Sequence, residues 1–76
     1  MNTNQFIKSK IKNFTNGSFN SFGHVQETSF GPCTIIHIEL VALYDDRIEI
    51  IEANYSFFDG ELAAESVEQK TLGVQE

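Results

Sequence analysis

The chain has 76 residues, of which 11 are acidic and 5 basic, for a net charge of −6. A chain of this length forms roughly one domain and is too short for most enzymes, and its acidity argues against direct contact with DNA or RNA phosphates. We therefore expect a single small domain over residues 1–76 that is not an enzyme and uses no cofactor.

The hydrophobic content is sufficient for a folded core. Leu, Ile, Val and Phe account for 23 of the 76 residues, about 30%, whereas chains below roughly 20% tend to stay disordered. The longest uninterrupted apolar run spans residues 40–44, which is too short for a membrane span or a secretory signal. One cysteine, Cys33, leaves no partner for an internal disulfide. These features predict a cytoplasmic protein without membrane contacts.

Charge is distributed unevenly along the chain. Residues 1–38 carry three lysines and one glutamate, for a net charge of +2, whereas residues 39–76 carry ten acids and two bases, for a net charge of −8. A field of that sign attracts basic surfaces and accelerates encounter with them. Nucleic-acid-binding proteins commonly present such surfaces, so the acidic half is a candidate binding region.

The first element predicted is an amphipathic helix over residues 3–14. Ile7, Ile11 and Phe14 recur at three- and four-residue steps and so share one face. Gly17 follows within a Thr-Asn-Gly-Ser stretch and suits the left-handed conformation at a helix end. A helix of about 12 residues is marginal alone, so we expect it to pack its apolar face on the rest of the domain.

Residues 34–44 alternate between two faces and form the clearest predicted strand. Asp45-Asp46 is expected to form the turn, and a second strand follows over residues 47–58. If the loop also includes Arg47, one extra residue in this strand keeps the core pairs apolar. The apolar phase of the strand slips between Ile50 and Ile51. We interpret the slip as a β-bulge. Beyond it, Ile38 is expected to face Ala53. The predicted core face of the first strand contains Ile36, Ile38, Leu40, Ala42 and Tyr44.

Two weaker segments flank this hairpin. Residues 22–30 are predicted to form a strand that ends at a Gly31-Pro32 turn. Asp59-Gly60 is a strong hairpin signal, yet residues 61–70 are rich in helix formers, so strand and helix both remain open there. The predicted fold is α+β: an N-terminal helix packed on a three- to four-stranded antiparallel sheet, with a possible C-terminal helix.

The face of the sheet opposite the core is expected to carry His37 and Glu39, with Asn54 and Glu52 across from them. If Gly31-Pro32 is a two-residue loop, His24 faces Glu39, and His24, His37 and Glu39 could ligate a metal. A loop one residue longer would turn His24 to the other face. We expect a solvated face with no bound metal, and we keep a small metal-binding or structural subunit as an alternative.

Phe57 and Phe58 point to opposite faces of one strand, so burying Phe57 leaves Phe58 available as an interface anchor. An exposed Phe58 and the acidic half of the chain, residues 39–76, together predict a non-enzymatic binding protein. We expect it to cover a basic, nucleic-acid-binding surface of a larger partner. The expected contact residues are Asp45, Asp46, Glu49, Glu52, Asp59, Glu61, Glu65, Glu68 and Phe58.

In size, acidity and lack of catalytic motifs, the chain is similar to the small acidic inhibitors of phages and mobile elements, including anti-CRISPR proteins and DNA mimics. This profile implies an inhibitor whose carboxylates lie roughly where nucleic-acid phosphates would bind. An immunity protein or antitoxin that blocks a basic toxin has the same acidic, compact profile and is the second hypothesis.

Overall fold

A computed structural model describes residues 3–73 of the chain. Helix α1 (Thr3–Phe14) is followed by strands β1 (Asn20–Phe30), β2 (Cys33–Leu43), β3 (Arg47–Phe58) and β4 (Glu61–Gly73). The strands form one antiparallel sheet in the order β1-β2-β3-β4. The predicted α+β architecture is therefore confirmed, with four strands.

Helix α1 lies across one face of the sheet and packs its apolar face on the core, as predicted. The contact is made by Phe6, Ile7, Ile11 and Phe14. Gly17 has a φ of 84° just past the end of the helix, the left-handed conformation that glycine adopts readily. Within residues 3–73 no helix has the length and apolar character needed to cross a membrane.

The core lies between α1 and the two central strands. Side chains of β2 and β3 alternate, so every second residue is buried beneath the helix. The Phe6 ring meets the rings of Tyr55 and Phe57 edge to face, with centroids 5.0 and 5.1 Å away, a geometry that aromatic pairs favour. The buried cluster comprises Ile36, Ile38, Leu40, Ile51, Ala53, Tyr55 and Phe57.

The turn between β2 and β3 consists of Asp45 and Asp46, as predicted, and Arg47 is not part of the loop. The backbone N–H of Tyr44 donates to the carbonyl of Arg47 at 2.9 Å, so Asp45 and Asp46 alone form the loop. The pairing of Leu40 with Ile51 and of Ile38 with Ala53 is as predicted, but the register is continuous and the predicted bulge is absent. Glu49 therefore faces the helix side, and Ile48 and Ile50 face the other side.

Strand β4 replaces the possible C-terminal helix. Asp59 and Gly60 both have positive φ, at 51° and 81°, the combination required by a two-residue type I′ turn. Across this turn Phe58 pairs with Glu61 and Phe57 with Leu62. A register shift between Ser56 and Phe57 then offsets the rest of the pairing by one residue, so the bulge lies here instead of in the middle of β3.

Candidate functional site

The face of the sheet opposite α1 carries the candidate site. No part of residues 3–73 packs on this face, which we call the open face. Because side chains alternate along each strand, it receives the even-numbered residues of β1 and the odd-numbered residues of β2. From β3 it receives Ile48, Ile50 and every second residue onward to Phe58.

One end of the open face is apolar. Phe22 of β1, Val41 of β2 and Ile50 of β3 are neighbours in register, and Phe22 remains 59% exposed. Exposed apolar clusters of this kind mark interaction surfaces in soluble proteins. We call this set the apolar patch; it consists of Phe22, Val41, Leu43, Ile48, Ile50 and Leu72.

A row of carboxylates crosses the open face next to the apolar patch. Glu39 pairs with Glu52, and Glu52 pairs with Glu68, so adjacent strands place three glutamates side by side, with Cβ atoms roughly 5 Å apart. We call Glu39, Glu52 and Glu68 the carboxylate row. Like charges directly opposite each other destabilise a sheet. Within residues 3–73 neither Glu52 nor Glu68 forms an ion pair, whereas Glu39 is paired with His37. Lys70 pairs with Ile50 and so lies on the same face, next to Glu52 and Glu68.

His37 is bonded to one member of the row. Its Nδ1–H donates to Asn54 Oδ1 at 2.6 Å, and its Nε2–H donates to Glu39 Oε1 at 2.9 Å. Both contacts together require the imidazolium form, in which each ring nitrogen carries a proton. The hydrogen bond to Asn54, followed by that to Glu39, raises the pKa of His37 above its ordinary value despite partial burial.

Gly31-Pro32 is a two-residue loop, because Phe30 pairs with Cys33. Of the two alternatives left open by the sequence, the structure therefore has the one in which His24 pairs with Glu39 on the open face. The atoms closest to a metal-binding arrangement are nevertheless those of His37, Glu39 and Glu52, which lie within 4.8 Å of one another. An imidazole with two carboxylates is a donor set that Zn²⁺ accepts. The Nε2 proton shared with Glu39 would have to leave before that nitrogen could bind an ion, so absence of bound metal stays our prediction.

The acidic residues predicted from sequence do not form one surface. Asp45 and Asp46 lie in the β2–β3 turn, whereas Asp59 lies in the β3–β4 turn at the other end of the sheet. Glu65 pairs with the buried Tyr55 and so belongs to the helix side. The open face holds the remaining exposed members of the predicted set: Glu52, Glu61, Glu68 and Phe58, which is 53% exposed.

Glu49 is the exception, because it is only 5% exposed. Its Oε1 accepts a hydrogen bond from Arg47 Nε at 2.8 Å. Its Oε2 accepts from Gln69 Nε2 at 2.9 Å and from Thr71 Oγ1 at 2.8 Å. These bonds lower the pKa of Glu49, and those from Gln69 and Thr71 have the largest effect. The side chain therefore links β4 to β3 and is occupied within the fold.

This network predicts a specific loss of stability in acid. A carboxylate whose pKa is lowered by folding stabilises the fold at pH values above its ordinary pKa of about 4.3. That stabilisation is lost as the pH falls through the lowered pKa of the folded state. We expect Glu49→Gln to lower the melting temperature at pH 7 and to differ much less from the wild type near pH 3. Circular dichroism melts at both pH values test this, with Glu68→Gln as the exposed control. A pH-independent difference would contradict the assignment.

Comparisons of the chain with models of known protein families, with curated proteins and with solved structures find no match in any of the three. The functional argument therefore rests on the geometry of the open face.

Sequence reasoning missed the part of the site formed by Phe22, Val41 and Ile50. These residues line a cavity of about 390 Å³ together with His24, Glu39 and Glu52. The signal was present in the apolar phase of β3, where Ile48 and Ile50 are out of step with Ile51. That pattern reflects apolar residues on both faces of the strand, and it was interpreted as a bulge.

Proposed function

We propose that this protein is a small, acidic, non-enzymatic binding protein whose open face covers a basic, nucleic-acid-binding surface of a larger partner. The observation that carries the proposal is the carboxylate row beside the apolar patch on a sheet face that nothing in residues 3–73 covers. The carboxylate row, in which Glu52 and Glu68 have no ion pair within residues 3–73, attracts cationic side chains. Burial of the adjoining apolar residues adds favourable free energy.

The dimensions of the open face suit a protein partner. Four strands at about 4.8 Å spacing and 11 residues at about 3.3 Å each give a face of roughly 700 Å². A standard protein–protein interface buries about 800 Å² on each side. The open face can therefore supply most of one interface, with Glu61 and Phe58 extending it at the end away from the apolar patch.

The proposed contact residues include some of those predicted from sequence and some that were not predicted. Glu52, Glu61, Glu68 and Phe58 remain, whereas Glu49 is omitted because it is buried and hydrogen-bonded. The new members are Glu39 and the apolar patch. Asp45, Asp46, Asp59 and Glu65 lie off the open face and contribute to the long-range field.

The same surface would serve an inhibitor of a nucleic-acid-binding enzyme or an immunity protein that blocks a basic nuclease. In both cases the carboxylates compete with phosphates for the same cationic groove. We place this activity in the cytoplasm, where the lone cysteine Cys33 stays reduced.

The proposal is tested by matched charge reversals. Glu52→Lys places a lysine in the carboxylate row, and Glu27→Lys makes the same change in net charge on the helix side of β1. Each variant and the wild type are immobilised and exposed to cell extract. The retained proteins are identified by mass spectrometry and then purified for binding measurements. We expect the partner to be lost with Glu52→Lys and kept with Glu27→Lys.

The purified partner must meet two further expectations. Binding should weaken as salt rises above about 0.15 M, where charges are screened within about 8 Å, and the protein should displace duplex DNA or RNA from the partner. Equal retention by both charge variants, or a partner that binds this protein and nucleic acid simultaneously, would contradict the proposal.

A further inference from the structure

The cavity on the open face lies on the boundary between the apolar patch and the carboxylate row. Its apolar wall consists of Phe22, Val41 and Ile50, and its polar wall of His24, Glu39 and Glu52. A second hollow adjoins it toward β4 and shares Ile50 and Glu52. A ligand seated here meets hydrocarbon on one side and carboxylates on the other.

Strands β1 and β2 approach closely at the cavity. Gly23 pairs with Leu40, and a Cβ atom at position 23 would clash with the Glu39 carbonyl oxygen and with Leu40 Cδ2. Only glycine permits that separation without displacing backbone. The residues on either side of Gly23, Phe22 and His24, line the cavity from β1.

The two carboxylates nearest the cavity have spare hydrogen-bonding capacity. One oxygen of Glu39 accepts a hydrogen bond from His37, and its other oxygen has no hydrogen bond within the described residues. Glu52 has no hydrogen bond or ion pair within residues 3–73. Because the two residues are paired on adjacent strands, a planar cation with several N–H donors can reach both.

We propose that this cavity binds a single arginine side chain from the partner, an inference that rests on the function proposed above. The methylene stem of arginine packs on Val41 and Ile50, as long cationic side chains do on apolar surface. The guanidinium reaches the carboxylates and stacks on the exposed Phe22 ring. Lysine fits less well, because its ammonium is compact and strongly hydrated.

A second copy of this chain is not the source of the arginine. Arg47 is the only arginine in the sequence, and its guanidinium is already bound to Asp46 and Glu49 and lies 4.0 Å from the Tyr44 ring centroid. A second copy would also bring another net charge of −6. The arginine therefore belongs to a different, basic protein.

The test uses small probes in place of the partner. Nα-acetylarginine amide, its lysine analogue and its neutral isostere Nα-acetylcitrulline amide are each titrated into ¹⁵N-labelled protein and followed by NMR. We expect the arginine probe to shift the backbone amides of residues 22–24, 39–41 and 50–52, and to bind at least about fivefold more tightly than either analogue. Glu52→Gln should weaken it by about fivefold, and Glu27→Gln, which removes the same charge on the helix side, should leave it unchanged.

Each other outcome overturns the assignment. Equal binding of citrulline would make the cavity a purely apolar site, and equal binding of lysine would remove the preference for a guanidinium. A zinc titration that shifts His37, Glu39 and Glu52 while the arginine probe shifts nothing would identify a metal site instead. If the arginine probe fails but Glu52→Lys still abolishes capture of the partner, the proposed function stands and only the arginine seat is wrong.

Discussion

Replacing Ile38 with aspartate is expected to unfold the domain. Ile38 is fully buried at the centre of β2, opposite Ala53, and no basic side chain of residues 3–73 is buried with it. An unpaired charge in such a position costs several kcal/mol at least, which is comparable to the whole stability of a small domain, about 5 kcal/mol. Loss of the cooperative thermal transition in circular dichroism is the expected observation.

The control for this change is the next residue along the strand. His37 lies on the open face, so His37→Ala should leave the domain folded with a cooperative transition. A soluble Ile38→Asp variant that melts cooperatively, alongside an unfolded His37→Ala variant, would show that the two faces of β2 have been assigned the wrong way round.

Truncating Phe6 to alanine is expected to cost about 3 kcal/mol in the free energy of unfolding, since large-to-small changes at packed phenylalanines typically cost 3–5 kcal/mol. The ring is the main aromatic contact of α1 and lies edge-on to both Tyr55 and Phe57. Because a 12-residue helix is marginal alone, its docking depends on such contacts. Urea denaturation, monitored by circular dichroism, measures the change.

Phe19 provides the matched control, because it is the same residue type and lies exposed in the connection before β1. Phe19→Ala should change the free energy of unfolding by no more than about 0.5 kcal/mol. If the two substitutions have equal effects, the packing of α1 on the sheet is not what stabilises the core.

The helix and the central hairpin were predictable because their apolar residues follow one period over a long segment. Ile7, Ile11 and Phe14 set the helix face, and the alternation of β2 sets the core face. The bulge predicted in β3, with Arg47 as a possible third loop residue, is absent because the core layer contains Glu49, whose burial the apolar pattern did not indicate. Its charge is tolerated there through Arg47 and through two side chains of β4, which lie 20 and 22 residues away in sequence and whose pairing was unknown.

Strand β4 was ambiguous for a different reason. All of its residues are exposed, so no apolar stripe distinguishes a strand from a helix, and its composition favours a helix. The turn decided the outcome: Asp59 and Gly60 return the chain beside β3, and backbone pairing along that strand outweighs local helix propensity. The candidate site was only partly predictable, because the carboxylate row and the cavity depend on register across all four strands.

The separation of charge between the two layers of the molecule has a consequence for how it meets other molecules. Lys8 and Lys12 lie exposed on the helix side, whereas the carboxylate row lies on the opposite side of the sheet. In an external field such a molecule experiences a torque as well as an attraction. It turns sheet-first toward a positive surface and helix-first toward a negative one. If the partner is the nucleic-acid-binding protein proposed above, an empty groove would therefore meet the open face, whereas a groove already covered by nucleic acid would turn that face away.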